Sequence, residues 1–181
     1  AGFGAARMSA IAGKWDAGPF LDALFRAEVA RRRSLASGSR RGMATATAAQ
    51  AAVIAVVAHA EGGSLVVLSV AAALREADQS LDDLYESCSA PSRFECVARR
   101  RSAAEFLRAD LASAAAAPGR EALAEALQEL SSAAKSLDET VRGCADEGFE
   151  LACPRLEPGA PRSHWWLFLA NSRPGSHGLC G

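Results

Sequence analysis

The sequence predicts an all-α fold: one candidate transmembrane helix, then a small helical bundle or helical hairpin, then an irregular C-terminal tail. Three observations predict it. Apolar side chains recur at helical spacing over most of the chain, the breaks between these runs fall at Gly, Ser and Pro, and alanine dominates the apolar residues while aromatic residues are only 6%. Because alanine buries little area, we expect a core built by close approach of helices rather than by bulky side chains.

The first helix is predicted to begin near Pro19, since proline is favoured in the first turn of a helix. It continues to the arginine run 31–33 and breaks at the Ser-Gly-Ser sequence 37–39. Residues 1–18 are rich in Gly and Ala and predict an extended lead-in. The apolar positions that define the helix are Phe20, Leu21, Leu24 and Phe25.

Residues 42–60 form a run of 19 residues without a formal charge, close to the roughly 20 apolar residues that a membrane-spanning helix needs. Five arginines precede the run and acidic residues follow it, which favours a single span with the N-terminus inside. The next uncharged run, 64–74, is 11 residues or about 16 Å of helix, too short to return across about 30 Å of hydrocarbon. The alternative for 42–60 is a buried, alanine-lined helix of a soluble bundle.

Three further helices are predicted downstream. Ser64 is a suitable N-cap for a helix through Cys88, and Pro91 begins another that ends at the Pro-Gly sequence 118–119. The clearest element follows, because its apolar residues alternate by four and three as in a bundle helix, with Gly143 at the position of a C-terminal cap. These apolar residues are Leu123, Leu127, Leu130, Ala134, Leu137 and Val141.

The chain therefore divides into four predicted segments. They are an extended lead-in and amphipathic helix (1–41), an apolar, candidate membrane-spanning segment (42–74), a helical bundle with four cysteines (75–153) and a Pro/Trp-rich tail (154–181).

The four candidate disulfide residues lie in the third segment, and five cysteines in a chain of this size mildly favour an oxidising compartment. Local bridges 88–96 and 144–153 need the least rearrangement, cross-pairing would staple the ends of the bundle, and buried inert thiols are the third alternative. No metal site is predicted, because there is no Cys-x₂-Cys spacing and the three histidines are scattered. The candidates are Cys88, Cys96, Cys144 and Cys153.

No catalytic residue is predicted, and we do not expect an enzyme. His164 and His177 lie in the irregular tail, and the Arg99–Arg101 run predicts a solvated helix face. The net charge of −1 gives no long-range attraction for nucleic acid, which we do not expect as a partner.

The aromatic cluster of the tail supplies the candidate interface residues Trp165, Trp166 and Phe168. Trp is enriched at the centres of protein interfaces and at membrane surfaces. Packing of the cluster against the chain's own bundle is the alternative.

The front third of the chain carries Phe3, the Gly-Lys-Trp-Asp stretch 13–16, Phe20, an arginine run, and Arg-Arg-Gly-Met-Ala at 40–44. This order resembles the chlorophyll a/c-binding light-harvesting proteins of diatoms and dinoflagellates. Their first span opens with Glu-x-x-x-x-Arg-x-x-Met, and Arg40 and Met43 match its last two positions. The family's glutamate, which ligates a chlorophyll magnesium, is replaced here by Leu35.

The resemblance implies a photosystem-associated membrane subunit, with chlorophyll a as a candidate cofactor. An axial donor to magnesium is then needed within an apolar helix, and Gln50, His59 and Glu61 are the candidate ligands. His59 is the best of them, because an imidazole in an alanine–valine stretch needs a partner. The alternative is a His and a Glu at the aqueous end of a helix.

Residues 88–153 are also similar to the plant invertase and pectin-methylesterase inhibitors, which are disulfide-stapled four-helix bundles. The similarity lies in the spacing of the cysteine partners, and it implies a protein-binding or inhibitor module.

We therefore expect a non-catalytic accessory or structural subunit of a membrane complex, first of all a photosystem–light-harvesting supercomplex, where it would contact other subunits and the membrane. The expected location is the chloroplast thylakoid membrane, with the C-terminal part in the lumen. The alternatives are a respiratory or ATP-synthase accessory subunit in the mitochondrial inner membrane, and a secreted, disulfide-stapled helical bundle that binds another protein.

Overall fold

The structure, a computed structural model, describes residues 17–40, 44, 47, 60–87, 91–146 and 161–167. Over these residues the chain forms helices joined by turns and contains no strand, so the all-α prediction is confirmed. The elements are α1 (Ala17–Ser37), α2 (Ala60–Ser87), α3 (Pro91–Ala115), α4 (Glu121–Asp146) and a 3₁₀ turn at Trp165–Leu167.

The end of α1 is set by Gly38, as predicted. Its φ of 69° is left-handed, a conformation that glycine adopts without a Cβ penalty. The Ser39 N–H donates to the Ser34 carbonyl at 3.0 Å and the Gly38 N–H to the Leu35 carbonyl at 3.4 Å. These two bonds form a Schellman motif, which satisfies carbonyls that the helix end would otherwise leave unpaired.

Helices α3 and α4 form an antiparallel hairpin. The turn between them contains Gly119, with a φ of 78°, and Arg101 of α3 pairs with Asp138 of α4 well away from the turn. Helix α2 runs parallel to α4, since its side-chain pairs with α4 advance along both helices together. These pairs are Arg75–Glu129 and Asp78–Ser136.

Helix α1 runs parallel to α3 by the same criterion, because Asp22 lies near Arg100 and Arg32 lies over the Phe106 ring. The largest helix–helix contacts are α2 with α4 and α1 with α3. The described helices thus form an up-down-up-down bundle of two layers, α1–α3 and α2–α4, joined by contacts of α3 with α4 and of α1 with α2.

Every residue of the apolar stripe predicted for α4 is buried; Leu123, for example, is 2% exposed and Leu137 is 0% exposed. Buried alanines on both α2 and α4 leave room for the two helices to approach closely, as the composition predicts. One detail is corrected: Gly143 does not end α4, which continues to Asp146. Glycine is permitted in a helix at a modest cost, and here Cys144 beyond it is buried.

The membrane-spanning prediction is not supported. No helix among the described residues is long and apolar enough to span a membrane, and the candidate span at 42–60 lies almost entirely outside them. Helix α2 is continuous across the predicted boundary between 74 and 75.

The shared core of α1 with α2, α3 and α4 also gives no support to the predicted single-span topology. A span between α1 and α2 would place Leu21 and Phe25 on one side of the bilayer and their core neighbours on the other. It would equally separate α1 from Cys96 and Cys144, which lie on α3 and α4.

Candidate functional site

The described segment 161–167 docks on α3 through a buried hydrogen bond. Trp166, 4% exposed, donates its indole N–H to Ser102 Oγ at 2.8 Å, and Ser102 Oγ donates to the Ala98 carbonyl at 3.0 Å. Both polar groups are thereby satisfied inside the core, as buried polar groups must be. Within the segment, the Leu167 N–H donates to the His164 carbonyl at 3.0 Å and closes the 3₁₀ turn.

Five side chains form a continuous stack along this contact, which we call the arginine–aromatic stack. The Arg32 guanidinium lies 5.0 Å from the centre of the Phe106 ring, and the Phe106 and His164 rings are 4.8 Å apart. The His164 and Trp166 rings are 5.0 Å apart, and Arg101 lies 4.2 Å from the Trp166 ring centre. Each terminal cation faces an aromatic ring, an arrangement that is favourable by about 0.5–2 kcal/mol per pair.

Arg101 also joins α3 to α4. Its Nε and Nη2 atoms each donate to an Asp138 carboxylate oxygen at 2.9 Å, and Nη1 donates to Glu105 at 3.3 Å. Its side chain is only 9% exposed, so the predicted solvated face of the Arg99–Arg101 run must be corrected at this position. Helical geometry turns adjacent residues about 100° apart, so Arg101 points inward while Arg99 and Arg100 remain half-exposed.

Two carboxylates beside the stack are held ionised by arginines. Burial alone would raise the pKa of Glu28, but hydrogen bonds and charge from Arg31 and Arg32 outweigh it and keep the pKa below its ordinary value. The same balance, with Arg108 as the main partner, lowers the pKa of Glu105. The two ionised glutamates partly offset the positive charge of the arginines around them.

His164 is the titratable group inside the stack. Burial lowers its pKa to about 4; Glu105 opposes the shift, while Arg101 and Arg32 add to it. Its Nδ1 atom is buried and has no hydrogen-bond partner among the described residues. The imidazole is therefore neutral at pH 7 and serves as an aromatic ring between Phe106 and Trp166.

The site consists of ion pairs and stacked rings. These contacts hold segment 161–167 against the chain's own bundle. Trp165 is half-buried and packs edge-on against Trp166, with the two ring centres 5.7 Å apart. The Arg142 guanidinium lies 4.6 Å from the centre of the Trp165 ring. Of the interface candidates, Trp165 and Trp166 therefore pack against the chain's own bundle, the alternative given for the cluster. Phe168 lies outside the described residues.

The structure bears on few of the other predicted site residues. Gln50 and His59 lie outside the described residues, and for Glu61 only a helical backbone is described, so chlorophyll ligation stays a prediction. Cys88 and Cys153 also lie outside them, and the bridges 88–96 and 144–153 stay predictions. Cys96 is half-buried, and Cys144 is buried.

Comparison with known proteins gives no relative. No family model matches the chain, and neither a curated protein nor a solved structure matches it. The resemblances to light-harvesting proteins and to the inhibitor bundles therefore rest on the residues that carry them.

Proposed function

We propose that the chain is a non-catalytic structural subunit, a helical bundle whose surface binds other protein subunits of a larger assembly. The observation that supports this proposal is the arginine–aromatic stack. It uses the buried ionisable side chains Arg101 and His164 to hold segment 161–167 on the bundle, which makes a preorganised unit from elements far apart in sequence. Preorganisation favours binding because less conformational entropy is lost on association.

The surface of this unit favours polar contacts with a partner. Leu35, 51% exposed, is the one large apolar side chain with high exposure among the described residues. The other exposed helix positions carry mostly alanine, serine and charged side chains, and charged surfaces contribute more to orientation and specificity than to raw affinity.

The particular assembly remains the one that the sequence suggests. A photosystem–light-harvesting supercomplex, with chlorophyll a held by His59, is the first proposal, and a mitochondrial membrane complex is the second. Because α1 and α2 share one core, the bundle would attach to such a complex from one side of the membrane. The same shared core equally suits the other class of function, a helical bundle that binds or inhibits a single protein.

The test is purification of the tagged chain from its source cells in mild detergent, followed by native gel electrophoresis. We expect companion polypeptides in a constant ratio, and chlorophyll with them if the first assembly is correct. The control is Leu107→Asp, which places a charge at a 0% exposed core position and should lose the companions with the fold. A wild-type chain that purifies alone would contradict the proposal, as would companions retained by Leu107→Asp.

A further inference from the structure

The two layers of the bundle carry opposite charge. Helices α1 and α3 contain nine arginines against five acidic residues, a net of +4. Helices α2 and α4 contain twelve acidic residues against three basic ones, a net of −9. The chain's net charge of −1 conceals this separation, which appears only when the helices are grouped by their packing.

The separation reaches the surface of both layers. On the basic layer Arg26 and Arg33 are exposed, and the Arg108 side chain is 43% exposed. On the acidic layer Glu76 and Glu125 are exposed and have no ion-pair partner among the described residues.

Pairing within the chain does not remove the acidic excess. Arg75 and Lys135 each pair with a glutamate of α4, Glu129 and Glu139, whose side chains are 55% and 64% exposed. The acidic layer thus keeps a surplus of accessible carboxylates, whereas many arginines of the basic layer are half-exposed.

We propose that the acidic α2–α4 layer binds the basic α1–α3 layer of a second copy of this chain. Charge complementarity argues for this occupant: the bundle presents, on two opposite layers, both members of an attractive pair. Two copies meeting through like layers would repel, so only the unlike orientation is favoured. The proposal deepens the proposed structural function by naming one of the partners.

Such a contact is heterologous, because two different surfaces of the same molecule meet. The layers lie on opposite sides of the bundle, so each added copy leaves one free surface of each sign. Heterologous contacts form rings when the rotation closes and open chains when it does not. We therefore expect assembly to proceed beyond the dimer as concentration rises.

The first test is sedimentation of the purified full chain at about 0.01 M and about 0.5 M salt. Screening shortens the reach of exposed charges from about 30 Å to a few ångströms over this range. We expect association at low salt and at least a tenfold weaker apparent affinity at high salt. A chain that stays monomeric at low salt up to about 100 μM would overturn the proposal, and so would association that salt does not weaken.

A pair of charge-reversal variants sharpens the test. Arg26→Glu with Arg33→Glu lowers the net charge of the basic layer from +4 to 0, and Glu76→Arg with Glu125→Arg changes that of the acidic layer from −9 to −5. Each variant alone should lose at least tenfold in self-association, whereas the two mixed should associate with each other. The matched control is Gln79→Ala with Gln128→Ala, exposed neutral positions on α2 and α4 that should leave association unchanged.

Circular dichroism of each variant establishes that it is folded, and the salt dependence of the wild-type chain tests the proposal without any variant. If the wild type is monomeric but binds vesicles containing anionic phosphatidylserine, the basic layer serves a membrane instead and the proposal is wrong. If the chain does not self-associate, the proposed structural function can still be tested separately by co-purification of other subunits.

Discussion

At the residue scale, Arg101 connects three elements that are distant in sequence. It forms a bidentate pair with Asp138 of α4, stacks on Trp166 of the C-terminal segment, and projects from α3. Burying a guanidinium costs several kcal/mol, which only such a dense set of partners can offset. Removing one partner from such a pair leaves the other charge buried, with nothing to offset its loss of hydration.

Arg101→Met should destabilise the fold by about 3–5 kcal/mol, because it leaves Asp138 partly buried without its partner and removes the cation from Trp166. Urea denaturation followed by circular dichroism measures the change in the free energy of unfolding. Arg75→Met is the matched control: the Arg75–Glu129 pair is about half exposed on both sides, and its loss should cost less than about 1 kcal/mol. Equal effects of the two substitutions would contradict the assignment of Arg101 to the core.

His164 makes stability depend on pH, with a sign fixed by its lowered pKa of about 4. Between an ordinary pKa of about 6.5 and this value, the unfolded chain binds a proton that the folded chain excludes. Stability therefore falls as pH is lowered through this window, by about 2 kcal/mol between pH 7 and pH 5. His164→Phe keeps a ring in the stack but cannot titrate. The loss of stability between pH 7 and pH 5 should therefore be smaller in this variant by the same amount. An unchanged slope would show that His164 protonates as freely as in the unfolded chain.

At the scale of the elements, α4 and α3 differ in how far the sequence predicts them. Helix α4 packs on one side, so its apolar residues repeat with a regular period that local sequence reveals. Helix α3 contacts α1, α2, α4 and segment 161–167. Its apolar residues Phe94, Val97 and Leu107 recur at helical spacing and are buried, as the sequence predicts. Arg101 and Ser102 are buried as well, although their polar side chains look like surface positions in the sequence.

The docking of segment 161–167 could not be predicted for a related reason. Trp166 and its partner Ser102 are 64 residues apart, and neither position carries a local signal that names the other. The sequence singled out Trp165 and Trp166 as an apolar pair that needs a surface. It could not decide between another protein and the chain's own bundle, because that choice depends on the shape that the helices make together.

The buried stripe of α4 gives the second stability prediction. Leu130→Ala, at a position 1% exposed, should reduce the free energy of unfolding by about 2–5 kcal/mol through lost burial and an unfilled cavity. Leu35→Ala is the control at a position 51% exposed, where a change within about 0.5 kcal/mol is expected. Thermal and urea denaturation of both variants provide the measurement. A loss below about 0.5 kcal/mol for Leu130→Ala would mean that the stripe is not packed.

At the scale of the whole molecule, the described helices share one hydrophobic core and form two layers of opposite charge. The apolar run 42–60 and the arginines before it favoured a division into a lead-in, a span and a bundle. Local hydropathy could not reveal that α1 returns to pack on α3, since that contact joins residues as far apart as Arg32 and Phe106. The physical consequence is topological: elements that share a core must lie on the same side of any membrane.

Sidedness supplies the last prediction. Segment 161–167 reaches α1 through the stack, in which His164 contacts the Phe106 ring that Arg32 covers. A tag before Ala1 and a tag after Gly181 should therefore respond alike when sealed vesicles carrying the chain are treated with protease, either both cleaved or both protected. Detergent-permeabilised vesicles, where both tags must be cleaved, are the control. A single span at 42–60 would leave one tag protected and the other cleaved, and that result would separate α1 from the core in which the structure places Leu21, Phe25 and Val29.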